Sequence, residues 1–100
     1  MQSVDVADLR AILERAPCLI DVREPEEFAG GHVPGARLVP LATVPAAVPE
    51  LPTDAPIYVI CAVGARSAHA ATFLTQQGFD ARNVDGGTRA WRAAGYPLEQ

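Results

Sequence analysis

One hundred residues, 49% of them apolar and none in a low-complexity tract, are enough for one domain with one core and argue against disorder. The formal charge of −4, with eight arginines and no lysine, argues against nucleic acid as a main partner, because phosphate backbones are gripped by clustered basic residues. No basic leader with a following apolar stretch is found, and no apolar run approaches the roughly 20 residues of a membrane span, so a cytoplasmic protein with no membrane partner is expected.

In chain order, residues 1–4 have room for a short edge strand. Asp5 is placed as an N-cap ahead of Val6, Leu9, Ile12 and Leu13, whose spacing predicts a helix over 6–15 that Ala16-Pro17 breaks. Cys18-Leu19-Ile20-Asp21-Val22 is apolar on both faces until its end, the pattern of a parallel strand covered on both sides. Pro25, with Glu26 and Glu27 in the first turn, opens a short helix that Gly30-Gly31 closes. Pro34-Gly35 centres a turn, and 37–40 is a short strand stopped by its proline. The proline-rich stretch 41–56 has room for one short helix, around Ala46 to Leu51.

Ile57 to Cys61 is a strand, Ser67 to Gln77 a helix ended by Gly78, and Ala81 to Val84 a strand. Asp85-Gly86-Gly87 makes a turn, Thr88 is placed to cap a last helix through Ala94, and Gly95 stops it. Strands alternating with helices predict an α/β fold: a mostly parallel central sheet of about five strands with helices on both faces. Ligands of such sheets bind beyond the carboxyl ends of the strands.

Cys61 stands at such an end. The stretch Cys61-Ala62-Val63-Gly64-Ala65-Arg66-Ser67 joins strand to helix, and its backbone N–H groups have no partner inside the helix. Gly64 permits the positive-φ turn that aims several of them inward, and Arg66 adds a fixed charge and a forked donor. Such a loop lowers a thiol's pKa and holds an anion beside it. Ser67 is read as the cap of the helix that follows, with its hydroxyl near the substrate. Asp21, Arg23, Glu27 and His32 form a polar set at the end of the second strand and just after it. Arg23 is a candidate to neutralise an anion and His32 to carry a proton. The pattern favours instead a supporting role, with Asp21 and Glu27 pairing with arginine and His32 bonding backbone. His69 reads as an ordinary helical histidine. Cys18 reads as core, unless it lies near enough to Cys61 to resolve an oxidised sulfur. Two cysteines are too few for a disulfide scaffold or a zinc site.

Cysteine phosphatases place five residues between their cysteine and arginine; here there are four, Ala62 to Ala65, a tighter cradle better sized for a terminal sulfur than for phosphate. The motif Cys61-x-x-Gly64-x-Arg66-Ser67 resembles the active loop of single-domain rhodaneses, the thiosulfate sulfurtransferase family. Leu19 to Phe28, running on through Gly31-His32-Val33-Pro34-Gly35-Ala36, is similar to that family's second signature. Gly78-Phe79, Val84-Asp85-Gly86-Gly87 and Trp91 are similar to its C-terminal pattern, with Asp85 standing where an apolar residue is usual.

The resemblance implies a rhodanese-like fold and covalent chemistry on Cys61. A thiosulfate-type donor, small and anionic, passes its outer sulfur to the thiolate, and loop amides hold the persulfide. A thiol or cyanide acceptor then removes the sulfur, with no metal or organic cofactor needed. The same chemistry serves a sulfur carrier loaded by a sulfur-relay protein. A binding module without turnover fits the intact cysteine and loop less well, and phosphate or arsenate chemistry fits the spacing less well.

Overall fold

The computed structural model describes residues 1–100. Five strands, β1 (Gln2–Val4), β2 (Cys18–Asp21), β3 (Arg37–Leu38), β4 (Ile57–Ile60) and β5 (Ala81–Val84), form one sheet in the order β1-β5-β4-β2-β3. Every pairing is parallel. Helices α1 (Val6–Ile12), α2 (Pro25–Ala29), α3 (Val44–Ala47), α4 (Ala65–Gln76) and α5 (Gly87–Ala93) connect them.

The central strand β4 shows why the sheet is covered on both sides. Its side chains alternate, and all of them are apolar or aromatic. Ile57 and Val59, with Cys61 just beyond, pack with Val44 and Ala47 of α3 and Ala70, Ala71 and Leu74 of α4. Tyr58 and Ile60 pack on the other face with Leu9 of α1 and Trp91 of α5. The buried indole is held at both ends, since its Nε1–H donates to the Pro97 carbonyl at 2.7 Å and its ring meets Tyr96 edge-on.

Several boundaries differ from the sequence expectation. The first helix ends as α-helix at Ile12 and tightens to a 3₁₀ turn over Leu13–Arg15, while its Asp5 cap forms a full capping box with Asp8. The stretch 41–50 is helical nearly throughout, as α3 between two 3₁₀ turns. Its prolines do not prevent this, because Pro45 and Pro49 each fall at the start of a turn, where a missing N–H costs nothing. α4 begins at Ala65, two residues earlier than expected, and α5 is capped by Gly86, so neither Ser67 nor Thr88 is an N-cap. No helix is long and apolar enough to cross a membrane.

The strand order turns between β2 and β4: from β2 the chain moves outward to β3, and from β4 it moves the other way to β5. A crevice outside the carboxyl ends of the strands belongs at such a point. Asp21 ends β2, Cys61 follows β4, and the Val22 N–H donates to the Ile60 carbonyl at 3.0 Å, knitting the two ends together.

Candidate active site

Cys61 is fully buried, just beyond the carboxyl end of β4. Its sulfur accepts three hydrogen bonds: from the Gly64 N–H at 3.1 Å, the Ser67 N–H at 3.3 Å and the Ser67 hydroxyl at 3.2 Å. Burial is the largest single influence on the thiol and pushes its pKa up. Against it act the Ser67 hydroxyl and the amides of Ser67, Gly64 and Val63, and together they outweigh it, so the pKa lies below its ordinary value.

The loop is shaped for this by Gly64, whose φ of +110° an L-residue rarely adopts. That turn lets α4 start at once. Ala65 and Arg66 then occupy the first helical turn, where their N–H groups have no acceptor within the helix. Ser67 falls at the third helical position, and its hydroxyl turns inward to the sulfur, within 3.2 Å of the Gly64 carbonyl as well.

Arg66 does not serve as the open cation that its place in the loop suggests. Its guanidinium donates to both carboxylate oxygens of Glu27, at 2.8 and 2.9 Å. The carboxylate is held down to about 2, first by these bonds and next by backbone hydrogen bonding at Glu24, and the guanidinium is pushed up in turn. Negative charge on the sulfur is therefore favoured by the hydroxyl and amide donors close to it, and Arg66 ties the loop to α2.

The rest of the polar set divides. Arg23, 5% exposed, is bidentate to the fully buried Asp21 and also donates to the Gly31 carbonyl at 3.0 Å, closing the chain over 21–31. His32 is turned to backbone: its Nδ1 lies 3.0 Å from the Phe28 carbonyl, its ring stacks on Phe28, and its own N–H and C=O pair with Glu99. Neither Arg23 nor His32 bonds the sulfur or the loop. His69 is exposed and lines a shallow apolar groove of about 140 Å³ between α3 and α4, with Leu41, Val44 and Phe73 among its neighbours.

One part of the site escapes sequence reasoning altogether. The start of α5 grips the loop from below. Thr88 donates its N–H and its hydroxyl to the Cys61 carbonyl, at 2.9 and 3.1 Å, and the Arg89 N–H donates to the Ala62 carbonyl at 3.0 Å. Gly87 lies so close that a Cβ there would stand 2.5 Å from both of these carbonyl oxygens. The paired glycines are the visible trace of this contact, but nothing local tells what they touch. Asp85 leaves the turn intact, its N–H donating to the Val4 carbonyl at 2.8 Å and its carboxylate accepting from Asn83 at 2.9 Å.

A buried thiol at a strand end, hydrogen-bonded by loop amides and a hydroxyl, is suited to nucleophilic attack and to holding an anionic adduct. Known proteins share this framework. The Rhodanese-like domain model matches residues 5–94. The chain is 34% identical over 99 residues to thiosulfate sulfurtransferase GlpE of Pseudomonas aeruginosa, covering 98% of this chain and 89% of that protein. It is 40% identical over 92 residues to the uncharacterized protein YqhL of Bacillus subtilis, covering 91% of this chain and 72% of YqhL. A rhodanese-related protein from Thermoplasma volcanium superposes with a TM-score of 0.93 at 35% identity, over 99% of this chain and 98% of that one. Sequence and fold agree on one assignment, and the chain belongs to the rhodanese-like sulfurtransferase family.

Proposed function

We propose that this protein moves a sulfane sulfur from thiosulfate or a related donor to a thiophilic acceptor through a persulfide on Cys61. The observation that carries this reading is the donor set around the sulfur: three hydrogen bonds at 3.1–3.3 Å on a fully buried Sγ. They favour the thiolate over the thiol and outweigh the opposing effect of burial.

In the first step the thiolate attacks the outer sulfur of the donor. A bond from Sγ to that sulfur forms, the donor's S–S bond breaks, and sulfite leaves with the electron pair. The new terminal sulfur carries negative charge, and the loop amides from Ala62 to Ser67 are the donors that receive it. In the second step cyanide or an acceptor thiolate attacks the terminal sulfur, and Sγ departs as thiolate. Each half-reaction is a substitution at sulfur, so the kinetics are ping-pong. Asp21, Arg23 and His32 support the chain around the site and take no part in either step.

A second reading, a relay module loaded by the persulfide of a partner protein, draws support from two features. Glu27 offsets the charge of Arg66, which weakens the loop's hold on a dianion such as thiosulfate. Val63, at the loop, is 55% exposed and apolar, a surface suited to contact with another protein.

Intact-mass spectrometry separates these readings. Loading by thiosulfate alone, seen as a gain of one sulfur atom that cyanide removes and that Cys61→Ala lacks, supports the enzyme. Loading only by a protein or low-molecular-weight persulfide supports the relay. No loading from any of these donors overturns both.

A further inference from the structure

The grip of α5 on the loop has a directional consequence. Every peptide bond in the chain is trans. In a planar trans peptide the C=O and the following N–H point in opposite directions. The Cys61 carbonyl is drawn toward Thr88, so the Ala62 N–H points away from α5. The Ala62 carbonyl is drawn toward the Arg89 N–H, so the Val63 N–H also points away from it. Val63 N–H is one of the donors that favour negative charge on the Cys61 sulfur. The Val63 amide thus owes its aim to the Arg89 contact on its far side, and the Cys61–Ala62 peptide from which it follows is held by Thr88.

The Thr88 side chain is the adjustable part of this arrangement. Its backbone N–H would donate to Cys61 whatever the residue, but its hydroxyl adds a second donor on the same carbonyl at 3.1 Å. The residue is 3% exposed, so packing holds that hydroxyl in place. A helix start alone supplies backbone donors; the hydroxyl is particular to the residue at this position.

We propose that Thr88 is a positioning residue for Cys61: its hydroxyl and amide, both donated to the Cys61 carbonyl, fix the Cys61–Ala62 peptide from which the loop turns to bring the Gly64 and Ser67 amides to the sulfur. The proposal rests on Cys61 being the nucleophile. Its test needs no sulfur donor.

In the full chain, the rate of Cys61 alkylation by iodoacetamide is measured against pH, by peptide mass, for wild type, Thr88→Val and Thr88→Ser. Valine keeps the shape and removes the hydroxyl; serine keeps the hydroxyl and removes the methyl. With one neutral hydrogen bond lost at one remove from the sulfur, the titration midpoint of Thr88→Val is expected to rise by roughly half a pH unit. Thr88→Ser is expected to titrate with wild type, although the lost methyl lowers its melting temperature. A midpoint that does not move in Thr88→Val, or that moves equally in both variants, overturns the proposal. If Thr88→Val does not melt cooperatively, Thr88→Ala removes the hydroxyl without adding bulk and is judged by the same criteria. A shifted midpoint in a protein that no donor loads with sulfur would support this assignment and overturn sulfur transfer.

Discussion

Both cysteines border the same sheet, and they stand at its opposite ends. Cys18 opens β2 and is paired in register with Ile57, the first residue of β4; Cys61 follows the last. Four residues of strand separate the two levels, roughly 13 Å at the usual rise. Cys18 therefore cannot resolve an oxidised Cys61 within one chain, and both are free thiols. Burial pushes both thiols up. At Cys18 only the charge of Arg37 opposes it, and the pKa ends raised. At Cys61 hydroxyl and amide donors win, and the pKa ends lowered. A hollow of about 290 Å³ beside Cys18 changes nothing, since no N–H or O–H group donates to that sulfur. The lowered thiol pKa is a property of the strand's carboxyl end and the loop that leaves it, not of cysteine, burial or cavity.

The contrast is broken most severely at Gly87. Its φ is +59°, and a Cβ would stand 2.5 Å from the carbonyl oxygens of Cys61 and Ala62. Backbone strain and overpacking together put the cost of Gly87→Ala at about 3 kcal/mol. The loop must move to make room, so Cys61 should lose its low titration midpoint and come to resemble Cys18. Denaturant melts and pH-dependent alkylation measure the two effects; a variant with wild-type stability and reactivity would show that α5 does not set the loop.

Ser67→Ala should act next most strongly, chiefly on the sulfur. The hydroxyl is fully buried and leads the influences that lower the Cys61 pKa. Removing one hydrogen bond to a charged group raises the midpoint by about one unit, worth up to about tenfold in rate at neutral pH. The N–H of residue 67 remains, so the shift should stop short of the Cys18 value. Stopped-flow sulfur loading at several pH values would check this, the deficit shrinking as pH rises.

Glu27 and Arg66 offer a smaller perturbation. Their side chains are 35% and 37% exposed, so screening leaves the pair about 0.5 kcal/mol. Glu27 is held at about 2 when folded, below its unfolded value. Its contribution is therefore complete above the ordinary carboxylate range and fades as pH falls toward 2. The melting temperatures of wild type and Glu27→Gln should differ slightly at neutral pH and converge in acid. A gap that persists at low pH would place the effect elsewhere than in the ion pair.

The sequence made the Cys61 end legible as far as chain-local patterns reach. The apolar run Ile57–Ile60, the cysteine, the glycine and the following helix occupy consecutive positions, so their order predicts a strand, a turn and an amide-lined loop. Carboxylate–arginine pairing was also readable, as a preference of residue types, but not which arginine meets Glu27, 39 residues from Arg66. Ser67 and Thr88 depart from the expected capping role for one shared reason. Local capping preference points to each, but in each case a glycine turns the backbone first, Gly64 and Gly86, and starts the helix early. The freed hydroxyls then bond to Cys61, one to its sulfur and one to its carbonyl, through contacts that only the folded sheet creates.

The smallest expected effect on transfer bears most directly on the comparison. Cys18→Ala removes a half-buried sulfur that accepts no hydrogen bond and whose thiol is held protonated by burial. It should cost about 1 kcal/mol or less and leave sulfur loading and turnover unchanged. At neutral pH, brief iodoacetamide treatment of wild type should label Cys61 and spare Cys18; after loading with sulfur the label should sit on the outer sulfur at Cys61, where a disulfide reductant releases it. Loss of transfer in Cys18→Ala would mean that sulfur leaves Cys61 by way of the second thiol. Because roughly 13 Å of strand lies between them in one chain, that route would have to run between two molecules, and its rate would scale with protein concentration. Unchanged turnover at every concentration leaves the strand end as the whole of the reactive apparatus.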